Sequence, residues 1–348
     1  MRRCLLGSVA LAGVVLAAAP AWAQAKASAE ASAASAVDPK WKAPKTPWGH
    51  PDLEGIWTSD DMRAVPMARP QQYGTRQFMS DEEFKARQNE RATARNVDNA
   101  RTGTFRNEEG TRDFGYTSMI IEPADGRIPA FTADARTRPT VRGTSGLGPF
   151  NSIDDFSLWD RCITRGLTGS WLPVVYGNGT RIMQTPDTII IAHEMVHEAR
   201  IIPLDGRPHV NKGLKQMLGD SRAHFEGDTL VIETTNFTDR LAVTGGFRHS
   251  ESLKITERIR RIDPEMVDFQ LHVEDPKTYT APWTMRMTLT HQKGYEIYEY
   301  ACHEGNRSVA NSLTGEREYD RQAAENAKKG LPPPERVFEK VNGDDRGR

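Results

Sequence analysis

The chain predicts a mainly β fold, an antiparallel barrel or sandwich with a few short helices. Three observations predict it. From about residue 172 onward, short β-branched or alternating runs follow one another with turn residues between them. Before that point only Ser80 to Arg95 carries a strong helix signature. No repeat of roughly 20 to 50 residues organises the chain, so the hairpins belong to one sheet rather than an array.

Composition bounds the rest. The chain has 348 residues, 37% hydrophobic and 27% charged, enough for one large domain or two small ones with a core that folds without staples. Its formal net charge is -1, and no Lys/Arg block stands out. Nucleic acid is therefore not an expected partner.

At the N-terminus, Arg2 and Arg3 precede an apolar run from Leu5 to Ala19, and Ala21-Trp22-Ala23 offers small residues for cleavage before Gln24. This is the pattern of a signal peptide over residues 1–23, so the mature protein is expected in the periplasm or secreted. The other reading is a membrane anchor, but the run of about 15 residues falls short of the roughly 20 that span a bilayer. The mature protein is expected to have no transmembrane segment. Residues 24–46 read as a disordered linker, starting with an Ala/Ser-rich stretch. A single β-rich domain then covers 47–322, with a helical insert near 80–96, and 323–348 reads as a loose tail after a short helix. Pro39 to Gly55, with Trp41, Trp48 and His50, reads as an extended strap along the domain surface.

The elements follow in order. Leu53 to Trp57 alternates as a first strand. Ser80 and Glu83 form a capping box for the polar helix. Asn96 to Tyr116 reads as loop, Met119 to Glu122 as a short strand, and Thr132 to Arg138 as one or two helical turns. Val174 to Tyr176 and Arg181 to Gln184, joined by Gly177-Asn178-Gly179, read as a hairpin. Thr188 to Ile202 is a long β-rich run, and Lys212 to Leu218 reads as a short helical turn. Three more hairpins are expected: Arg222–Phe225 with Thr229–Thr234, Ser252–Ile262 with Met266–Glu274, and Thr284–His291 with Tyr295–Cys302.

Cys4 leaves with the signal peptide, and the mature chain keeps Cys162 and Cys302. An even pair in an oxidising compartment points to one disulfide. Its loop of about 140 residues carries about 4 to 5 kcal/mol in the chain-entropy treatment. The competing reading is a nucleophilic Cys302 beside His303.

Four places could carry chemistry. His193-Glu194-Met195-Val196-His197 spells the H-E-x-x-H of zinc proteases, which needs a helix to put both imidazoles on one metal. The flanking Ile189-Ile190-Ile191 and Ile201-Ile202 favour a strand, in which the two rings stand about 13 Å apart. No metal site is expected from them. One face of that strand would carry Ile189, Ile191, His193, Met195, His197, Ala199 and Ile201 inward. His193 and His197 then become candidate acid–base groups, or satisfied core histidines. The second place is Gly219 to Glu226, where Asp220, Arg222 and His224 could orient a ligand or brace a turn. The third is the sheet end at Cys302-His303-Glu304, where the disulfide would bring Arg165 near His303 and Glu304 as a pocket mouth or a structural knot. The fourth is the loop Leu204 to His209, with His209 as a binding or merely surface residue. Nucleotide, c-type haem and serine-esterase motifs are absent, so no cofactor is expected.

Pro51–Trp57, Cys162–Leu167, Pro203–His209, Gly219–Phe237 and Glu299–Asn306 together give the chain a recognisable text. In these segments it resembles a family of exported bacterial β-rich proteins. The resemblance implies export and carries no activity, cofactor or catalytic residue. Lipocalin-like hydratases and cyclases are an architectural analogy alone.

These readings converge on an extracytoplasmic enzyme acting on a small molecule by His/carboxylate acid–base chemistry, of the lyase, isomerase or hydrolase class. His197, His193, Asp220, Glu304 and His303 are the catalytic candidates, and Arg200, Arg165, Arg222 and His209 the substrate-binding ones. The alternatives are a non-catalytic binding or envelope-interaction module using the Trp/Pro strap and exposed helix, and a zinc hydrolase through His193 and His197.

Overall fold

The computed structural model describes residue 38 and residues 40–102, 110–138, 149–239 and 248–335, with backbone alone at 94–102. The expected signal peptide and all of the linker up to residue 37 lie outside the described residues, as do residues 336–348 of the tail. The ordered chain reaches back into the expected linker: Lys45 pairs with Pro51, and Thr46 is buried.

The strands are β1 (Gly55–Thr58), β2 (Ile120–Glu122), β3 (Gly179–Gln184), β4 (Thr188–His193), β5 (Ala199–Pro203), β6 (Asp220–Glu226), β7 (Thr229–Thr235), β8 (Lys254–Asp263), β9 (Met266–Glu274) and β10 (Trp283–Thr290). The helices are α1 (Asp81–Thr102), α2 (Ala133–Thr137), α3 (Leu167–Trp171) and α4 (Ser308–Lys328). All strands join one antiparallel sheet in the order β5-β4-β3-β1-β10-β9-β8-β7-β6, with β2 added beside β10. The sheet curls until β5 approaches β6, but the two edges do not pair, so the fold is sandwich-like rather than a closed barrel.

Period-two alternation fills the concave side. Ile189 and Ile191 of β4, Ile255 and Ile259 of β8, Phe269 and Leu271 of β9, and Trp283, Met285, Met287 and Leu289 of β10 are all buried there. Trp171 enters from α3 and packs on Phe269 with ring centroids 4.3 Å apart. Fully burying a side chain of this kind contributes about 1.5 to 3 kcal/mol, and that burial holds the five-residue α3 in place.

The other face of β10 is covered as well. Thr284, Thr288 and Thr290 are buried and give their hydroxyls to the chain before residue 123, Arg286 pairs with Asp268 at 2.5 Å, and Met119 O accepts the Arg286 amide at 2.8 Å. Thr284 bonds Glu122 at 2.6 Å, Thr288 bonds Tyr116 at 2.8 Å, and Thr290 bonds Asp61 at 2.6 Å. A covered strand needs short polar partners on its second face, because an unmatched buried polar group costs about 1 to 3 kcal/mol.

The β6–β7, β8–β9 and β1 expectations match the observed strands, as do β2, α2 and the Ser80/Glu83 capping box of α1. Six local readings are corrected. Helix α1 continues past Arg95 to Thr102, and α4 runs on to Lys328 rather than loosening at Ala323. Lys212 to Leu218 forms turns and one bridge, not a helix. Val174 to Tyr176 is not a strand. Asn178 turns its amide back on Val174, accepting from its N–H and donating to its carbonyl, both at 2.8 Å, so the side chain replaces a ladder. Tyr295 to Cys302 is not a strand either, because β10 already has β9 on one side and β1 and β2 on the other.

The last correction matters most. Thr188 to Ile202 is not one extended run but a hairpin, β4 and β5 joined by a tight turn at Glu194–Glu198. Val196 and His197 adopt φ of 62° and 42° in that turn. The turn resets the alternation. Ile189, Ile191 and His193 face inward as expected, but beyond it Arg200 and Ile202 face inward and Ala199 and Ile201 face out.

Candidate functional site

Four segments meet at the end of the curled sheet closed by α3: residues 162–166 before α3, residues 174–177, the β4–β5 turn, and residues 298–302. The disulfide Cys162–Cys302 ties the first to the last, with Cα atoms 5.7 Å apart. His197 Nδ1 lies 3.3 Å from the Tyr300 carbonyl, and Tyr176 stacks against Tyr300 at 6.3 Å between centroids. The expected disulfide is therefore present, and its cysteine is not free to act as a nucleophile.

Beneath this knot lies a buried polar cluster. The Arg200 guanidinium grips Glu257 with two parallel hydrogen bonds, 2.6 and 2.9 Å long. Glu257 Oε1 also accepts the Trp171 indole N–H at 2.7 Å. Trp171 presents its ring to His193, edge to face, at 4.8 Å. His193 is buried, and its Nδ1 lies 2.9 Å from Thr180 Oγ1. Its Nε2 has no hydrogen-bond partner among the described residues. Burial, reinforced by the nearby Arg200 and Arg165 charges, holds the imidazole well below its ordinary range, so it is neutral at physiological pH.

Arg165 is the unusual member. It is 1% exposed, yet its guanidinium makes no hydrogen bond to any described residue, and Nε and Nη2 are buried without partners. It lies over the face of Trp159, 5.7 Å from the ring centroid. Burial pulls its pKa down to about 10, while Tyr300, Glu198 and Tyr176 nearby raise it. Glu198 does not approach as an ion pair. Its carboxylate is occupied by the Thr164 hydroxyl and, at 3.5 Å, by Ser170. Burial pushes the Glu198 carboxyl up against the pull of those hydrogen bonds. Buried cations normally have partners, and the Nε and Nη2 donors of Arg165 have none among the described residues.

The sequence-derived candidates divide into three groups. His193, Arg200 and Arg165 come together in this cluster. His197 does not join them: it is exposed in the hairpin turn, because the turn reverses the phase that the single strand would have continued. The helix that H-E-x-x-H chemistry requires is replaced by that turn. Among the described residues no group of three or more His, Cys, Asp or Glu could hold a metal ion. His303 and Glu304 are exposed beyond the disulfide, while Arg165 is buried.

Asp220, His209 and Arg222 form a second and separate cluster. Asp220 accepts from His209 Nδ1 at 2.8 Å, the Val210 amide at 3.1 Å and Arg222 Nη1 at 2.7 Å. Burial raises the Asp220 carboxyl, but these three donors outweigh it and leave its pKa lowered. Arg222 Nε also holds the Pro208 carbonyl at 3.1 Å. All the acid's strong partners are internal, which makes this cluster a fastening between the 204–210 loop and β6. His224 stands apart, exposed, 3.3 Å from Glu226.

The sequence reading missed Glu257, Trp171, Glu198 and Thr180. Glu257 had a legible signal: it interrupts the inward apolar face of β8 between Ile255 and Ile259, where an acid needs a buried partner. Trp171 and Thr180 carry no comparable mark. Among the described residues no helix is long and apolar enough to cross a membrane. Comparison with known protein families, with curated proteins and with solved structures finds no match to this chain.

Proposed function

We propose that this chain is an extracytoplasmic protein that binds a small organic anion at the disulfide-tied end of its sheet and catalyses proton transfer on it. One observation carries the reading: Arg165 is a buried cation whose Nε and Nη2 donors meet no acceptor among the described residues. An anion there would accept from the guanidinium fork and balance its charge.

His193 supplies the acid–base group. In the tautomer whose Nδ1–H donates to Thr180 Oγ1, Nε2 offers a lone pair from a neutral ring, the state a general base needs. Arg165 and Arg200 then oppose build-up of positive charge on that ring, so the proton is held briefly and passed on. Glu257 orients the assembly by fixing Arg200 and the Trp171 indole together. The reaction belongs with lyases, isomerases or hydrolases. The basic, apolar and small-residue N-terminus together with the disulfide favours the periplasm or the exterior.

The experiment is a turnover screen of small carboxylates on the mature chain, repeated on His193→Gln and Arg165→Gln. His193→Gln should lower kcat by about 100-fold or more, and Arg165→Gln should act mainly on KM. Turnover that survives both substitutions unchanged would remove this cluster from the mechanism.

A further inference from the structure

We infer that the ligand of this site is a monocarboxylate with an aromatic or flat apolar body, its carboxylate on Arg165 and its body lying against the Tyr176–Tyr300 pair. The inference rests on the proposed anion site and narrows its chemistry.

The charge follows from the pairing. Of the two buried guanidinium groups near His193, Arg200 is already matched by Glu257 through two hydrogen bonds. Arg165 has no ion pair among the described residues, and its planar fork suits the two oxygens of a single carboxylate. Glu198 close by disfavours a second negative charge on the ligand.

The body of the ligand follows from the rim. Tyr176 and Tyr300, both electrostatic neighbours of Arg165, lie stacked, and Tyr176 is 42% exposed. Ile163, Val175 and Tyr298 are each within two residues of Arg165, Tyr176 and Tyr300, and they too are exposed. Exposed apolar side chains on the segments that carry a buried cation suit an amphipathic acid, which needs desolvated contact for its body and charge neutralisation for its carboxylate. Residues 176–177 also pack toward Tyr300 and Met195, since a Cβ on Gly177 would meet Met195 Cε at 3.2 Å and Tyr300 Cδ2 at 3.8 Å. The rim is thus seated on the same knot as Arg165.

Calorimetric titration of the disulfide-bonded mature chain tests this with four probes: 3-phenylpropanoate, propanoate, 3-phenylpropanamide and inorganic phosphate. The aromatic acid should bind at least about tenfold tighter than propanoate, and the amide should not bind detectably. Tyr176→Ala, an exposed position that leaves folding intact, should weaken the aromatic acid about tenfold and leave propanoate unchanged. Propanoate or phosphate binding as tightly as the aromatic acid, or no effect of Tyr176→Ala, overturns the inference while the anion site stands. Failure of all three anions to bind overturns the anion site itself.

Discussion

Arg200 and Glu257 form a two-pronged ion pair inside the protein, although β5 and β8 lie far apart in the strand order. The sheet curls far enough for one edge strand to reach across the core to the other half. Both side chains are almost wholly removed from water, at 5% and 0% exposure. Desolvating two charges costs several kcal/mol, which their attraction only roughly offsets. The pair therefore adds little net stability while intact, but either half alone is a buried uncompensated charge.

That asymmetry makes a prediction. Glu257→Leu or Arg200→Met alone should destabilise the protein by about 3 to 5 kcal/mol. The double substitution should recover most of that loss, because it removes both charges and keeps apolar volume. Urea unfolding of the three variants measures it. Additive losses in the double variant would show that the two side chains are not a coupled pair.

His193 predicts a pH dependence. Its folded-state pKa lies well below the ordinary 6.5, first through burial and then through Arg200 and Arg165. Above the ordinary imidazole range both folded and unfolded chains keep the ring neutral, so stability does not depend on it. As pH falls below that range, the unfolded chain takes up a proton that the folded chain refuses. Stability then falls with pH, by up to about 1.4 kcal/mol per pH unit from this residue. His249, lowered to about 4 chiefly by burial, contributes with the same sign. Glu198, raised by burial, contributes with the opposite sign. The difference between wild type and His193→Gln isolates the one residue. Between pH 6.5 and about 5 the wild type should lose stability faster than the variant, and equal slopes would contradict the buried, neutral imidazole.

The β4–β5 turn predicts a stabilising substitution. His197 is exposed, and at φ of 42° it sits in the left-handed region. That conformation costs a non-glycine residue roughly 1 kcal/mol. His197→Gly should therefore raise stability by up to about 1 kcal/mol, less the extra freedom gained by the unfolded chain. Val196, with φ of 62°, is the poorer choice, because its buried side chain would be lost. Thermal unfolding decides: a fall in Tm of several degrees on His197→Gly would argue against this turn geometry.

Much of the fold was legible because its signals are local. Ile255-Thr256-Glu257-Arg258-Ile259 alternates with the pleat, and Gly227-Asp228 turns the chain between β6 and β7. Ser80 and Glu83 cap α1 within four residues of chain. The failures have one kind of cause. Tyr295 to Cys302 has strand composition, but β10 had no free edge to offer it. Thr188 to Ile202 has strand composition throughout, but five residues in its middle are a turn that changes which side chains point inward. Composition does not report an occupied edge or a reversal within a uniformly β-prone run.

By itself, the sequence determined the class of the fold, two of the four expected hairpins, the capped helix and the disulfide partners, since alternation, turn chemistry and an even cysteine count need no knowledge of distant chain. The tertiary structure alone decided which candidates share a site. Arg165, His193, Arg200 and Glu257 meet only because the sheet curls and α3 plugs its end. Curvature and plugging sum weak packing preferences over the whole chain, so no short stretch of residues encodes that meeting.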